Sequence, residues 1–319
     1  MKELSGYFEL ELAANIEYYQ NVLRLNSGRN CLEYIQRERN YRRIYLPKFS
    51  CNALLEPLRK TGVEYTFYAI DNSFEPLIPD KLGNDEALLY INYFGINDHV
   101  VRKLSASFTN LIIDNSQAFF SKPLPETDTF YSPRKFFGVP DGGYLSTNLQ
   151  DTDNLAQDVS YDRSRHLLHR IDEGAFPGYQ EYKNNEVLIN SLPIMRMSNL
   201  THRILCSIDY ERVKKARKQN FEQLHSALVS MNLIHIDMSE LGYPFIYPLL
   251  IDSGNCLREY LWHNNVYCAI YWPDTADRLN NNDFEGHLVH NLVALPIDQR
   301  LSSDDINILV NLISIYYSN

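Results

Sequence analysis

Leu111-Ile112-Ile113-Asp114-Asn115-Ser116-Gln117-Ala118-Phe119-Phe120 is the stretch that decides the fold. Its apolar run ending in a carboxylate reads as a buried parallel strand with Asp114 at the carboxyl end. Open α/β sheets bind their ligands at that end, so Asp114 is placed to face one, with Gln117 three residues on. An Asp-Asn pair also makes turns and helix caps, and this stretch alone leaves both readings open.

Outward from this strand, further β-rich runs fall at residues 43–46, 64–70, 87–92, 128–132 and 143–147, with helical stretches between several of them. That alternation predicts an α/β fold, a largely parallel sheet covered on both faces. Helical spacing is read at 13–25 and 29–39, and the second helix starts just after Ser27-Gly28, where free amides can hold a phosphate. A polar run at 150–154 punctuates the sheet region, and a helix-rich stretch then rises to a long, solvated connecting helix around 209–215. Beyond it, strands at 234–236, 245–251, 266–271 and 292–297 with helices at 257–263 and 303–317 predict a smaller α+β domain. The expected division is 1–210 for the large unit and 211–319 for the small one.

A second chemical candidate lies in Phe130-Tyr131-Ser132-Pro133-Arg134-Lys135-Phe136-Phe137-Gly138-Val139-Pro140-Asp141-Gly142-Gly143. A lysine drawn out of water by apolar neighbours loses proton affinity, which frees an amine able to form a Schiff base with an aldehyde. The paired glycines after Asp141 predict a tight turn where backbone approaches a ligand closely. Read without its context, Lys135 is also a solvated residue at a strand end.

Together these segments resemble the DegT/DnrJ/EryC1/StrS sugar aminotransferases, which are fold-type I pyridoxal phosphate enzymes. The D-x-x-Q of that family matches Asp114 and Gln117, and its S-F-x-x-x-K-x-x-x-x-x-E-G-G matches Lys135, Asp141, Gly142 and Gly143 in register. Ser27-Gly28-Arg29-Asn30-Cys31-Leu32 resembles its phosphate-binding turn, and Pro47-Lys48-Phe49-Ser50-Cys51 its P-x-F-T-F turn. Tyr93-Phe94-Gly95, Arg196-Met197-Ser198 and Leu295-Pro296 are similar to further family motifs, so the likeness spans most of the chain. Phe130 stands where the family has a phosphate-binding serine, with Ser132 two residues on; Cys51 stands where it stacks an aromatic on the pyridine ring, and Arg29 replaces a threonine.

The resemblance implies a mostly parallel seven-stranded sheet with helices on both faces and a smaller C-terminal domain. It implies pyridoxal 5'-phosphate as cofactor, with Lys135 and Asp114 catalytic and Ser27, Gly28, Arg29, Cys51, Asp114, Gln117, Ser132 and Lys135 around it. In that scheme Lys135 bonds to the cofactor and shuttles the proton, while Asp114 keeps the ring nitrogen protonated. Glutamate as amino donor, a nucleotide-linked keto-sugar as acceptor, polysaccharide or secondary-metabolite synthesis, and a homodimer are likewise implied. Two alternatives stand beside this: a binding or assembly subunit that keeps the fold without catalysis, and another fold-type I reaction on an amino acid.

Composition narrows the remaining classes. With 30 basic and 40 acidic side chains the net charge is -10, and no long basic run is present, which argues against a nucleic-acid backbone as partner. Five widely spaced cysteines without C-x-x-C pairs read as reduced thiols. Met1-Lys2-Glu3-Leu4 lacks the layout of a secretory signal, and no run of about 18 apolar residues occurs, so no membrane partner and a cytoplasmic protein are expected. His166 and His169 stand one helical turn apart, but arginines flank them without an evident acidic third ligand, so a solvated or capping role is expected and no metal.

Overall fold

The computed structural model describes residues 5–150, 154–280 and 283–318. Met1-Lys2-Glu3-Leu4 and most of the polar run 150–154 therefore lie outside the described residues. The main sheet is built from β1 (Leu23–Leu25), β2 (Arg43–Pro47), β3 (Glu64–Ile70), β4 (Pro76–Leu77), β5 (Glu86–Ile91), β6 (Leu111–Asp114), β7 (Asp128–Tyr131) and β8 (Gly143–Ser146). Their order across the sheet is β1-β8-β7-β6-β5-β2-β3-β4. The five strands β3, β2, β5, β6 and β7 run parallel, β8 returns antiparallel to β7, and β1 pairs antiparallel with β8.

The α/β fold with a mostly parallel sheet is as expected, and the sheet has eight strands because the two-residue β4 adds to the edge at β3. Every residue of β5, β6 and β7 is buried, as an apolar strand covered on both faces must be. The register sets Ile91 beside Asp114 and Asp114 beside Phe130, so the carboxyl ends of these interior strands lie side by side.

The helices of this part are α1 (Gly28–Arg39), α2 (Leu55–Thr61), α3 (Asp98–Ser107), α4 (Arg165–Asp172), α5 (Tyr179–Ser191) and α6 (Asn199–Cys206), and α7 (Tyr210–Leu228) follows, packed against the C-terminal part. The C-terminal part adds β9 (Tyr247–Leu250), α8 (Gly254–His263), α9 (Phe284–Asn291), β10 (Leu292–Leu295) and α10 (Ser303–Ser318), with β9 and β10 antiparallel. One apolar cluster runs from Leu32 of α1 and Ile113 of the large sheet to Leu249 and Leu295 of the small one. A second, aromatic cluster gathers Tyr19, Phe119, Tyr131, Phe136, Phe137 and Tyr144. Among the described residues no helix is long and apolar enough to cross a membrane.

Several expectations are corrected. Residues 13–22 form no helix, and only Leu23–Leu25 is regular, as strand β1. The Tyr19 hydroxyl donates to the carbonyls of Phe119 (2.6 Å) and Ser121 (2.9 Å), and its ring is buried. Burying such a ring contributes about 2 kcal/mol, more than the few tenths per residue that helix propensity offers. The predicted strand at 234–236 is absent because the Asn232 side chain accepts from the Ile234 and Leu250 amides, standing in for a ladder partner. Residues 266–271 keep only a single bridge, Ala269 with Ala294. The long helix α7 is not solvated all round: Val213, Arg217, Phe221, Leu224 and Leu228 make one buried face.

Candidate active site

Helix α1 opens the site. Ser27 is its N-cap, and its hydroxyl accepts from the Asn30 amide at 3.1 Å. The remaining amides of a first turn have no partner within the helix, so the N-terminus at Gly28 presents donors to an anion. The backbone here is packed against the glycine pair. A Cβ on Gly143 would lie 2.4 Å from the carbonyl carbon of Ser27, and the Gly142 amide donates to Asn26 O at 2.8 Å. What the paired glycines approach is thus the chain's own Ser27-Gly28 turn, which corrects the expectation of a close approach to a ligand.

Asp114 ends β6 as expected, buried, with its Oδ1 accepting from the Ser116 amide at 2.8 Å. Burial pushes its carboxyl above the usual aspartate range, while the Lys135 charge and the Ser116 bonds pull the other way. Gln117 is pinned at one end only. Its Oε1 accepts from the Phe94 amide at 3.0 Å, within a turn where Phe94 takes a left-handed φ of 57°, and its Nε2 is buried without a partner.

Lys135 closes a short helical turn, Pro133–Lys135, after β7. Its side chain is exposed, which corrects the expected withdrawal from water: Phe136 and Phe137 turn instead into the aromatic cluster. The backbone after it is held from the C-terminal part, where Gln299 Nε2 donates to Phe136 O at 2.8 Å. The Arg217 guanidinium lies 4.5 Å from the Phe136 ring centre. Ser132 precedes this turn, and Phe130 packs over Gly28.

All eight residues singled out from the sequence, Ser27, Gly28, Arg29, Cys51, Asp114, Gln117, Ser132 and Lys135, line one cleft of about 190 Å³. The Cys51 thiol accepts from the Ala53 amide at 3.4 Å, capping its own turn. Aromatic surface comes from Trp272, which also lines the cleft and packs edge-on against Phe49 at 4.7 Å.

Several lining residues escaped the sequence reading. Ser116, Arg134, Glu186, Ile189 and Asn190 belong to the cleft, the last three from α5. Helix α5 is tied down by Arg134 to Glu186, by Arg29 to Asn190, and by the Asn185 amide to Pro140 O at 2.8 Å. Arg29 also lies 3.2 Å from Glu56 and donates to Ala53 O. The signal in sequence was faint: Glu186 and Asn190 stand four apart on one helical face. His169 is paired with Glu173 at 2.8 Å, and Glu181 lies 3.5 Å from its other nitrogen.

The motif residues Asp141 and Arg196-Met197-Ser198 lie outside the cleft lining. Asp141 is fully buried and accepts from the Ser198 amide (2.9 Å), the Ser198 hydroxyl (3.0 Å) and the Thr201 hydroxyl, fastening the start of α6. Arg196 and Met197 join the backbone ladder beside Leu25.

These residues fit pyridoxal phosphate. The donors at the start of α1 with Ser132 suit its phosphate, the buried carboxyl of Asp114 suits a protonated ring nitrogen, and the unpartnered Gln117 Nε2 suits a ring oxygen.

The sequence matches no family model and no curated protein. Solved structures are similar in shape. A DegT DnrJ EryC1 StrS aminotransferase from Brucella abortus is 15% identical, with a TM-score of 0.63 over 94% of this chain and 87% of that one. DesV from S. venezuelae is 13% identical, at 0.66 over 96% and 86%. The sugar aminotransferase CalS13 from Micromonospora echinospora is 12% identical, at 0.62 over 92% and 86%. The first bears the family name that the motifs resemble, and the likeness, covering nearly the whole of this chain, establishes its fold as that of these aminotransferases.

Proposed function

We propose that this chain is a pyridoxal phosphate-dependent aminotransferase of the DegT/DnrJ/EryC1/StrS type that acts on a sugar. The observation that carries the reading is the single cleft holding Lys135, a buried Asp114 and the unpartnered Nε2 of Gln117 beside the start of α1. When bound, the cofactor supplies an aldehyde and an electron-withdrawing ring.

The chain's own residues do the rest. First-turn amides of α1 and the Ser132 hydroxyl bind the phosphate. Burial makes an unpaired Asp114 carboxylate costly, so a cation is favoured against it, and this holds a proton at the ring nitrogen. Gln117, fixed through Oε1, donates from Nε2 to the ring oxygen. Lys135 anchors the cofactor through Nζ and carries a proton to and from the reacting carbon. Trp272 offers the flat apolar wall that Cys51 does not.

We extend the reading to glutamate as donor and a nucleotide-linked keto-sugar as acceptor in surface-polysaccharide or secondary-metabolite synthesis. A homodimer and a cytoplasmic setting belong to the same reading, with 1–210 as the cofactor unit and 211–319 as the smaller one. Unpaired cysteines agree with a reducing compartment. Mixing cofactor-loaded protein with glutamate alone is the test: the visible band should bleach while 2-oxoglutarate is released. A loaded protein whose spectrum no amino donor changes would instead be the binding subunit.

A further inference from the structure

The guanidinium of Arg134 is half used. Its Nη2 contacts Glu186 Oε1, while Nε on the same edge of the group is buried without a partner. Nε and Nη2 together form the fork that takes a carboxylate by two parallel hydrogen bonds. Glu186 fills one tine only, and a buried donor left unmade is costly. Both residues line the cleft beside Lys135, and the Glu186 side chain is 39% exposed, so releasing it to water costs little. Arg29, the other arginine of the cleft, is already engaged by Glu56, Ala53 O and Asn190.

We propose that Arg134 is the residue that recognises the carboxylate of the amino donor, with Glu186 holding its place until the donor arrives. The incoming carboxylate takes Nε and Nη2 together and displaces Glu186 from the fork. This rests on the aminotransferase reading for the donor's identity, but the binding step requires neither cofactor nor turnover.

Titration calorimetry of the purified protein with glutarate, a dicarboxylate that lacks the reacting amine, tests it. Arg134→Gln should weaken glutarate binding about tenfold or more, and Glu186→Gln should tighten it by removing the competitor. The opposite signs separate recognition from a general loosening of α5, because a variant that merely failed to fold would not bind more tightly. In the glutamate half-reaction the same variants should move KM in those directions with the cofactor band unchanged. Glutarate binding indifferent to both substitutions would overturn the proposal. So would inorganic phosphate binding in preference to glutarate, or loss of the cofactor band in Arg134→Gln, either of which gives the fork to a phosphate. Arginine-dependent glutarate binding in a protein that never bleaches with any donor would instead fault the aminotransferase reading and leave the carboxylate site standing.

Discussion

Asp114 and Asp141 are both buried, and the bonds each has made differ. Asp141 is saturated by the Ser198 amide, the Ser198 hydroxyl and the Thr201 hydroxyl, and faces the start of α6. Asp114 is held by Ser116 and opens on a cleft with Lys135 and an unpartnered Gln117 amide. Burial raises both carboxyls above the ordinary range, so desolvation alone does not separate them. Unspent hydrogen-bonding capacity does: a structural site closes its own bonds, whereas a binding site leaves some for its ligand.

The largest effect should come from Asp114→Asn. An amide lacks the charge that retains a proton on the ring nitrogen, so turnover should fall on the order of a thousandfold, as for other preorganised charges, with the melting temperature nearly unchanged. Equal activity in a steady-state assay would erase the distinction between the two aspartates. Asp141→Ala should do the reverse: three buried donors lose their acceptor, and denaturant unfolding should report a loss of about 3 kcal/mol. Activity per folded molecule should survive within a few-fold.

A smaller, pH-dependent effect sharpens the contrast. Burial lifts Asp141 to about 6, above its unfolded value, so the folded state binds more protons between the two values. Its contribution to stability is therefore fullest at low pH and is lost as pH rises through about 6. The melting temperature of the wild type relative to Asp141→Asn should fall by a few degrees from about pH 4 to about pH 6.5. A relative melting temperature that rises over that window would show that the three donors outweigh desolvation.

The same contrast explains what was legible in the sequence. Central strands carry their own signal, since an apolar run such as Leu111–Asp114 has one comfortable home in a doubly covered sheet. Motif spacing picked out eight of the residues that line one cleft. Long-range competition was not legible: residues 13–22 lost their helical pattern to distant carbonyls that accept from Tyr19, and Asn232 replaced a strand with side-chain bonds. Arg134 and Glu186 were missed because their pairing joins residues 52 positions apart. Lys135 was misjudged in its surroundings, because apolar neighbours in sequence turned away from it in space.

The proposed function stands on Lys135 as the residue that would bind the cofactor. Borohydride reduction of the protein loaded with pyridoxal phosphate, followed by digestion and mass spectrometry, tests it most directly. The reduced adduct should sit on the peptide bearing Lys135 and disappear in Lys135→Ala. An adduct on another lysine, or none in a protein that has taken up the cofactor, would contradict it.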